Sequence, residues 1–131
     1  MMGLDTNVLV RYCAQDDPIQ SAQATEIIQA FTTENPGFIT LITLTELVWV
    51  MQRCYKATKP EVTALLDMLL RTRELKVENA ALALKALSIF SKSNAGFSDC
   101  LIAQCAQWAG CEVTLTFDKL AAKVAGMRLI A

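Results

Sequence analysis

The sequence predicts an α/β protein, built as one domain over residues 1–131 around a mainly parallel β-sheet. Short segments rich in β-branched and aromatic residues alternate with longer stretches whose apolar residues recur at helical spacing. The resulting order is β-α-α-β-α-α-β-α-α-β-α-β, and strands separated by helices pair in parallel through right-handed crossovers. Hydrophobic residues make up 53% of the 131 residues, which is enough to bury one core.

Each element is predicted from the spacing of its apolar residues and from the proline and glycine residues at its ends. The predicted strands are residues 2–5, 38–42, 75–77, 112–117 and 127–130. The predicted helices are residues 8–13, 18–34, 44–56, 60–72, 79–91, 97–109 and 119–124. Pro18 and Pro60 stand where helices begin, while Gly110 and Gly126 stand where helices end.

Three helix starts carry candidate capping residues. Thr6 or Asn7 caps the first helix, Thr43 or Thr45 caps the helix 44–56, and Ser98 caps the helix 97–109. With either Thr43 or Thr45 as the cap, Glu46 lies in the first turn of the helix 44–56. In the last of these helices we expect the buried face to carry four apolar residues: Leu101, Ile102, Cys105 and Trp108.

The composition excludes several classes of site. The formal net charge of -1 argues against a protein that binds nucleic acid through bulk charge alone. The absence of histidine excludes Ser-His and Cys-His catalysis and histidine-ligated zinc. The five cysteines form no C-x-x-C pair and are odd in number, which disfavours a disulfide framework or zinc site. With no targeting or membrane-spanning pattern, we expect a cytoplasmic protein without a membrane partner.

Four carboxylates follow strands or open helices: Asp5, Glu46, Asp99 and Asp118. The carboxyl ends of parallel strands share one edge of the sheet, where ligands bind. Carboxylates gathered there repel each other unless a cation neutralises them, and Mg²⁺ or Mn²⁺ prefers such oxygen ligands. Neighbouring polar side chains are candidates to orient them: Thr6, Asn7, Ser98 and Thr116. The alternative is structural, because the helix dipole alone favours an acid in a first turn.

Four blocks of sequence resemble the signature blocks of PIN-domain ribonucleases, most closely the VapC-like toxins of bacterial toxin–antitoxin systems. The blocks are Leu4-Asp5-Thr6-Asn7-Val8-Leu9-Val10-Arg11, Thr45-Glu46-Leu47-Val48-Trp49, Phe97-Ser98-Asp99-Cys100-Leu101-Ile102-Ala103 and Thr116-Phe117-Asp118. The resemblance implies a three-layer α/β/α sandwich whose central sheet has four to five strands. It also implies RNA cleavage that depends on Mg²⁺ or Mn²⁺. Ser98 departs mildly from the family pattern, which has a small apolar residue such as alanine there.

The resemblance assigns the metal site to the four carboxylates Asp5, Glu46, Asp99 and Asp118, assisted by Thr6, Asn7 and Thr116. It further implies a homodimer and a cognate antitoxin, whose C-terminal segment lies in a groove and places a basic side chain near the acids. Under this hypothesis a water deprotonated near Asp5 or Asp99 attacks the scissile phosphate in line. Three basic residues flank the acidic blocks and are candidate contacts to the RNA backbone, or else solvated surface charges: Arg11, Lys92 and Lys119.

Two other hypotheses remain open. A haloacid-dehalogenase-like phosphatase also uses an acid after its first strand, but it needs a second aspartate where Asn7 stands. A non-catalytic RNA- or partner-binding module would use the apolar run at residues 47–51 as an interface for an antitoxin or a second copy. For this run we favour a core helix with one exposed edge at Trp49 or Val50. The sequence leaves transfer, ribosomal and messenger RNA all open as the substrate.

Overall fold

A computed structural model describes residues 1–130, in which strands and helices alternate in the predicted order. The strands are β1 (Met2–Gly3), β2 (Gly37–Ile39), β3 (Leu75–Val77), β4 (Leu115–Thr116) and β5 (Arg128–Leu129). The helices are α1 (Thr6–Ala14), α2 (Pro18–Gln29), α3 (Leu41–Cys54), α4 (Lys59–Arg71), α5 (Ala80–Lys92), α6 (Phe97–Trp108) and α7 (Lys119–Val124). The α/β class is confirmed. By its internal contacts the chain divides into two compact units, Met1–Glu78 and Asn79–Ala131.

The first unit is built on a parallel sheet with the strand order β1-β2-β3. Gly3 pairs with Phe38, and Ile39 pairs with Val77. The ladder continues one residue past β1, because the Leu4 amide donates to the Phe38 carbonyl at 2.9 Å. All three strands therefore point the same way, and the residues that follow them share one edge of the sheet.

Helices α1 to α4 bury the apolar side chains of the first unit. Leu9 of α1, Leu47 of α3 and Leu66 of α4 are all fully buried, as is Ile39 of β2. On the opposite side of α3, Trp49 is 57% exposed, which confirms the prediction of a core helix with one exposed edge. The outer face of α3 is thus left free of the core.

The second unit packs α5 against α6 and pairs β4 with β5 in parallel. The rings of Phe90 and Phe97 meet edge to face, with their centroids 5.9 Å apart and their planes at 86°. This geometry suits the quadrupoles of two aromatic rings. Within residues 1–130, no helix has the length and apolar character that crossing a bilayer requires.

The sheet differs from the expected single sheet of four to five strands. Within residues 1–130 the strands form one sheet of three and one of two, and each strand is short. The strand predicted at 38–42 ends at Ile39, because Thr40 caps α3 instead. The strand predicted at 112–117 is reduced to β4, and the helix predicted at 18–34 ends at Gln29.

The buried face predicted for α6 was partly wrong. Ile102 is 52% exposed and Trp108 is 72% exposed, whereas Phe97 and Cys100 are buried with the predicted Leu101. The helix begins at Phe97, and residues spaced three and four apart from that position share its inner face. The sequence pattern was compatible with both faces, because apolar residues lie on each.

Candidate functional site

Asp5, Thr6 and Glu46 form a hydrogen-bonded group at the carboxyl edge of the three-stranded sheet, which we call the Asp5 cluster. The Asp5 Oδ1 atom accepts the Thr6 backbone N–H at 2.8 Å. The Thr6 hydroxyl donates to Glu46 Oε1 at 2.7 Å. One threonine therefore contacts two of the predicted carboxylates, Asp5 through its backbone N–H and Glu46 of α3 through its hydroxyl.

Asp5 itself is the N-cap of α1, so the prediction that Thr6 or Asn7 caps this helix was wrong. The cap bond is unusual, because it involves the first N–H of the helix. Asp17, the N-cap of α2, accepts instead from Ile19 and Gln20 at 3.1 and 2.8 Å. Those second and third amides are the usual partners of a capping side chain. Helix capping is thus a sufficient reason for an aspartate at position 17. It is a weaker reason for an aspartate at position 5.

Glu46 lies in the second turn of α3 rather than in the first, where it was predicted. The helix begins three residues earlier than expected, because Thr40, and neither Thr43 nor Thr45, is its N-cap. The Thr40 hydroxyl accepts the Thr43 N–H at 3.1 Å. The helix dipole acts mainly on the first turn, so it does not explain an acid at this position. The bond from Thr6 is what holds Glu46.

The Asp5 cluster has the chemistry of a site for a hard divalent ion. Both carboxylates are exposed, and within residues 1–130 neither forms an ion pair with lysine or arginine. In the same part of the chain, Asp5 Oδ2 and Glu46 Oε2 accept no hydrogen bond. Each acid therefore keeps an anionic oxygen free to bind a cation. Oxygen donors of this kind are the ligands that Mg²⁺ and Mn²⁺ prefer, so the residues fit such an ion.

Asp99 lies in the first turn of α6, in the second unit, and is half-buried. The predicted cap Ser98 is inside the helix, and Gly96 is the N-cap without a side-chain bond. The Asp99 Oδ2 atom lies 3.9 Å from the point where a Cβ on Gly96 would stand. A negative charge here interacts favourably with the helix dipole, which is a sufficient structural reason for an acid.

Asp118 is the N-cap of α7, also in the second unit. Its Oδ1 atom accepts from the Leu120 and Ala121 amides at 2.8 and 3.1 Å, the same arrangement that Asp17 has. The Thr116 hydroxyl accepts the Asp118 backbone N–H at 3.0 Å, so Thr116 fixes the start of this turn. The second carboxylate oxygen of Asp118 accepts no hydrogen bond from the described residues.

The described residues, 1–130, contain no group of three or more His, Cys, Asp or Glu side chains able to hold one metal ion. The structure therefore brings together Asp5 and Glu46, while the assignment of Asp99 and Asp118 to the same site stays a prediction. Burial raises the pKa of the Cys13 thiol to about 11. This thiol is therefore protonated at neutral pH in the metal-free protein.

Sequence reasoning missed one carboxylate at this edge of the sheet. Glu78 directly follows β3, and its Oε1 atom accepts the Leu41 N–H at 3.0 Å. Its own N–H donates to the Ile39 carbonyl at 2.8 Å. The signal was its position after a buried strand, which it shares with Asp5. Its role here is to satisfy the first amide of α3.

The three candidate RNA contacts differ in how they are held. The Arg11 guanidinium lies 3.5 Å from Asp16 and donates to Gln20 at 2.7 Å. The Tyr55 hydroxyl donates to Asp16 at 2.7 Å, and this hydrogen bond raises the pKa of Tyr55. Arg11, on α1, is therefore held by the turn before α2 and by the first turns of α2. Lys92 and Lys119 are exposed and have no carboxylate partner among residues 1–130.

A groove lies between α1 and α2 within the first unit. Its volume is about 240 Å³, and it is lined by Asn7, Val8, Arg11, Gln20, Gln23, Ala24 and Ile27. The lining combines apolar side chains with amide and guanidinium groups. Asn7, one of the lining residues, is exposed and lies two residues from Asp5 in the chain.

Comparison with known families agrees with these observations. The family model described as "PIN domain" matches residues 2–127, which is nearly the whole chain. The match includes all four predicted carboxylates and runs across both units. No curated protein matches the chain.

Proposed function

The chain belongs to the PIN domain family, and on this premise we propose that it is a metal-dependent endoribonuclease. The PIN domain is a nuclease fold, and its members generally use Mg²⁺. The observation that supports the proposal best is the Asp5 cluster. It holds two exposed carboxylates at the edge of a parallel sheet, neither of which has an ion-pair partner within residues 1–130. Thr6 bonds both of them, Asp5 through its backbone N–H and Glu46 through its hydroxyl. An unneutralised pair of acids at a ligand-binding edge is unfavourable without a cation.

Asp5 and Glu46 would hold the ion, and we propose Asp99 and Asp118 as its further ligands. When bound, the ion supplies Lewis acidity, which activates water and stabilises the charge that develops on a phosphoryl group. Thr6 fixes the Glu46 carboxylate through its 2.7 Å hydrogen bond, so Glu46 does not have to be ordered when substrate arrives. The Asp5 carboxylate, or that of Asp99, takes the proton of the attacking water.

We also propose that the protein is the toxin of a type II toxin–antitoxin system and acts as a homodimer in the cytoplasm. The groove between α1 and α2 supports the antitoxin part of this proposal. Its lining includes the apolar residues Val8, Ala24 and Ile27, and also Asn7, which is two residues from Asp5 in the chain. A C-terminal segment of the antitoxin lying there would place a basic side chain on the two unpaired carboxylates.

Cleavage of RNA by the purified protein tests the proposed activity. We expect cleavage with Mg²⁺ or Mn²⁺ and none with EDTA, with the new ends mapped by sequencing. Asp5→Asn keeps a capping side chain but removes the charge, so we expect at least about a 100-fold loss of rate. Asp17→Asn makes the same chemical change at a regular N-cap, and we expect it to keep full activity.

The decisive negative result is cleavage that persists in both EDTA and the Asp5→Asn variant. Growth arrest in cells that produce the protein, relieved by Asp5→Asn, tests the toxin role separately. An active nuclease that leaves growth unchanged would retain the enzyme proposal and exclude the toxin role.

A further inference from the structure

The outer face of α3 carries an aromatic and basic surface that the Asp5 cluster does not use. Four residues line a cavity of about 500 Å³ there: Trp49, Gln52, Arg53 and Lys56. We call these four residues the α3 platform. Trp49 is 57% exposed, and the Arg53 guanidinium carbon lies 5.6 Å from the centre of a Trp49 ring. The platform therefore presents an exposed aromatic ring with the Arg53 cation over one of its faces.

Within the first unit, the residues of the platform are needed neither to fill the core nor to form ion pairs. Leu47 and Val48 fill the inner face of α3, so the core is closed without Trp49. Within residues 1–130, Arg53 and Lys56 have no carboxylate partner. Large exposed aromatic rings with unpaired cations are frequent where proteins bind nucleic acid.

The platform lies on the same face of α3 as Glu46. Glu46, Trp49 and Arg53 follow each other at spacings of three and four residues, which places them in one row along a helix. At about 1.5 Å per residue, Trp49 is roughly 4.5 Å and Arg53 roughly 10.5 Å along the axis from Glu46. The second distance corresponds to about three nucleotides of a stacked strand, at ~3.4 Å each.

We propose that the α3 platform binds the single-stranded RNA next to the scissile phosphate. One base stacks on the Trp49 indole, and a backbone phosphate contacts Arg53 and Lys56. Charge complementarity favours this occupant, because Arg53 and Lys56 have no carboxylate partner within residues 1–130 and lie together in a chain whose net charge is -1. Stacking needs a base whose face is free, so the platform favours single strands over duplexes. This inference rests on the proposed function in that it takes RNA as the substrate.

RNA binding without cleavage tests the platform independently of the chemistry. The protein carries Asp5→Asn and Trp108→Phe, which leaves Trp49 as its single tryptophan. The probe is a single-stranded RNA of about 12 nucleotides, within the ~4–16 nucleotides that single-strand sites cover. We expect the RNA to quench Trp49 fluorescence and a duplex of the same length to bind more weakly. No quenching at saturating RNA would overturn the proposal.

Matched variants separate stacking and charge from general effects. In the Asp5→Asn protein, binding by anisotropy of labelled RNA should weaken about 5- to 100-fold for Trp49→Ala. Trp49→Phe should retain most of the affinity, because phenylalanine also stacks. Arg53→Gln should weaken binding and reduce its salt dependence, whereas Arg73→Gln, an exposed arginine of the same unit, should do neither. Circular dichroism confirms that each variant is folded.

In the protein with an intact Asp5 cluster, Trp49→Ala should raise KM for RNA and leave kcat within about twofold. If no RNA is cleaved under any condition but the platform variants still lose RNA binding, the proposed function fails and the platform stands. If cleavage depends on metal while Trp49→Ala binds RNA normally, the platform is wrong and the function stands. If Trp49→Ala binds RNA normally but has a changed oligomeric mass, the platform proposal is also wrong. That result would identify this face of α3 as an interface between copies of the chain.

Discussion

Thr6 is the residue on which the Asp5 cluster depends. Its side chain is buried, at 8% exposure, and its hydroxyl bonds a carboxylate 40 positions away in the chain. Burying a hydroxyl without a partner costs free energy, so the bond satisfies Thr6 while it orients Glu46. The sequence indicated Thr6 as a neighbour of the acids. It did not indicate its partner, because a contact of this range depends on the packing of α1 against α3.

Thr6→Val should lower nuclease activity about 10- to 100-fold, as the loss of a residue that orients a metal ligand does. Valine has nearly the same shape but no hydroxyl, so Glu46 loses its partner while the packing of α1 is kept. The measurement is the rate of metal-dependent RNA cleavage, together with the concentration of Mn²⁺ that gives half the maximal rate.

Thr6→Ser is the matched control, because serine retains the donor and should keep most of the activity. A Thr6→Val protein as active as Thr6→Ser would show that the hydroxyl plays no part in the site. Thermal unfolding of both variants separates a loss of site geometry from a loss of fold.

At the scale of elements, capping residues decide where the helices begin and so where the acids lie. The sequence analysis predicted Thr43 or Thr45 as the N-cap of α3, whereas the N-cap is Thr40. All three are threonines, so local capping preference does not distinguish them. Long-range contacts choose: β2 pairs with β3 only as far as Ile39, and Glu78 accepts the first amide of α3. The sequence predicted the order of the elements, and it predicted α4, β3 and α7 closely. In these places the proline and glycine positions agreed with the spacing of the apolar residues. Boundaries that tertiary pairing sets, such as the ends of β2 and β4, were not.

The start of α4 provides a pH test of one cap. Thr58 and Glu61 form a capping box, in which each side chain binds the backbone N–H of the other residue. Hydrogen bonds, first from the Thr58 backbone and then from its side chain, lower the pKa of Glu61. A lowered folded-state pKa stabilises the fold above the unfolded pKa of Glu61, and this effect is lost as pH falls through the folded value. Glu61→Gln should therefore lower Tm slightly at pH 7, and this difference in Tm should shrink as the pH falls below the unfolded pKa of Glu61.

Glu34→Gln, in the exposed segment after α2, controls for the removal of one negative charge. It should change Tm little at pH 7 or at pH 3, as isolated surface substitutions usually do. A Tm difference for Glu61→Gln that is as large at pH 3 as at pH 7 would mean that the charge of Glu61 is not what the cap uses. Thr58→Ala should cost about 4 °C, since it removes the capping hydroxyl itself.

For the whole molecule, the assignment to test is which of the four carboxylates bind the same metal ion. Asp5 was predictable from its position after a strand, and Glu46 was predicted as a site acid although in the wrong turn of its helix. Thr6 bonds both of them, through its backbone N–H and its hydroxyl. Asp99 and Asp118 were predicted from the same pattern, but each also has a structural reason, as a first-turn acid and as an N-cap. Substitution by alanine cannot separate the two roles, because it removes the cap and the charge together. Asparagine can, since it caps about as well as aspartate but is neutral.

Mn²⁺ should raise the Tm of the protein, because a ligand that binds only the folded state stabilises it. At a concentration 100 times its Kd the gain is about 2.7 kcal/mol, roughly 10 °C for a chain of this size. If all four acids hold the ion, Asp5→Asn, Glu46→Gln, Asp99→Asn and Asp118→Asn should each reduce this gain, while their Tm without metal stays near that of the parent. Asp17→Asn, at the regular cap of α2, should keep the full gain.

The pattern of losses assigns the ligands one by one, and calorimetry at neutral pH measures it without RNA. A gain abolished by Asp5→Asn and Glu46→Gln but kept by Asp118→Asn would make Asp118 a cap alone, as its two hydrogen bonds to α7 already suffice to explain. Retention of the full gain by Asp5→Asn would remove the Asp5 cluster from the metal site altogether. Each substitution keeps the shape of the side chain, and at the two N-caps it also keeps the capping group. Each variant therefore lacks only the negative charge that a divalent ion requires.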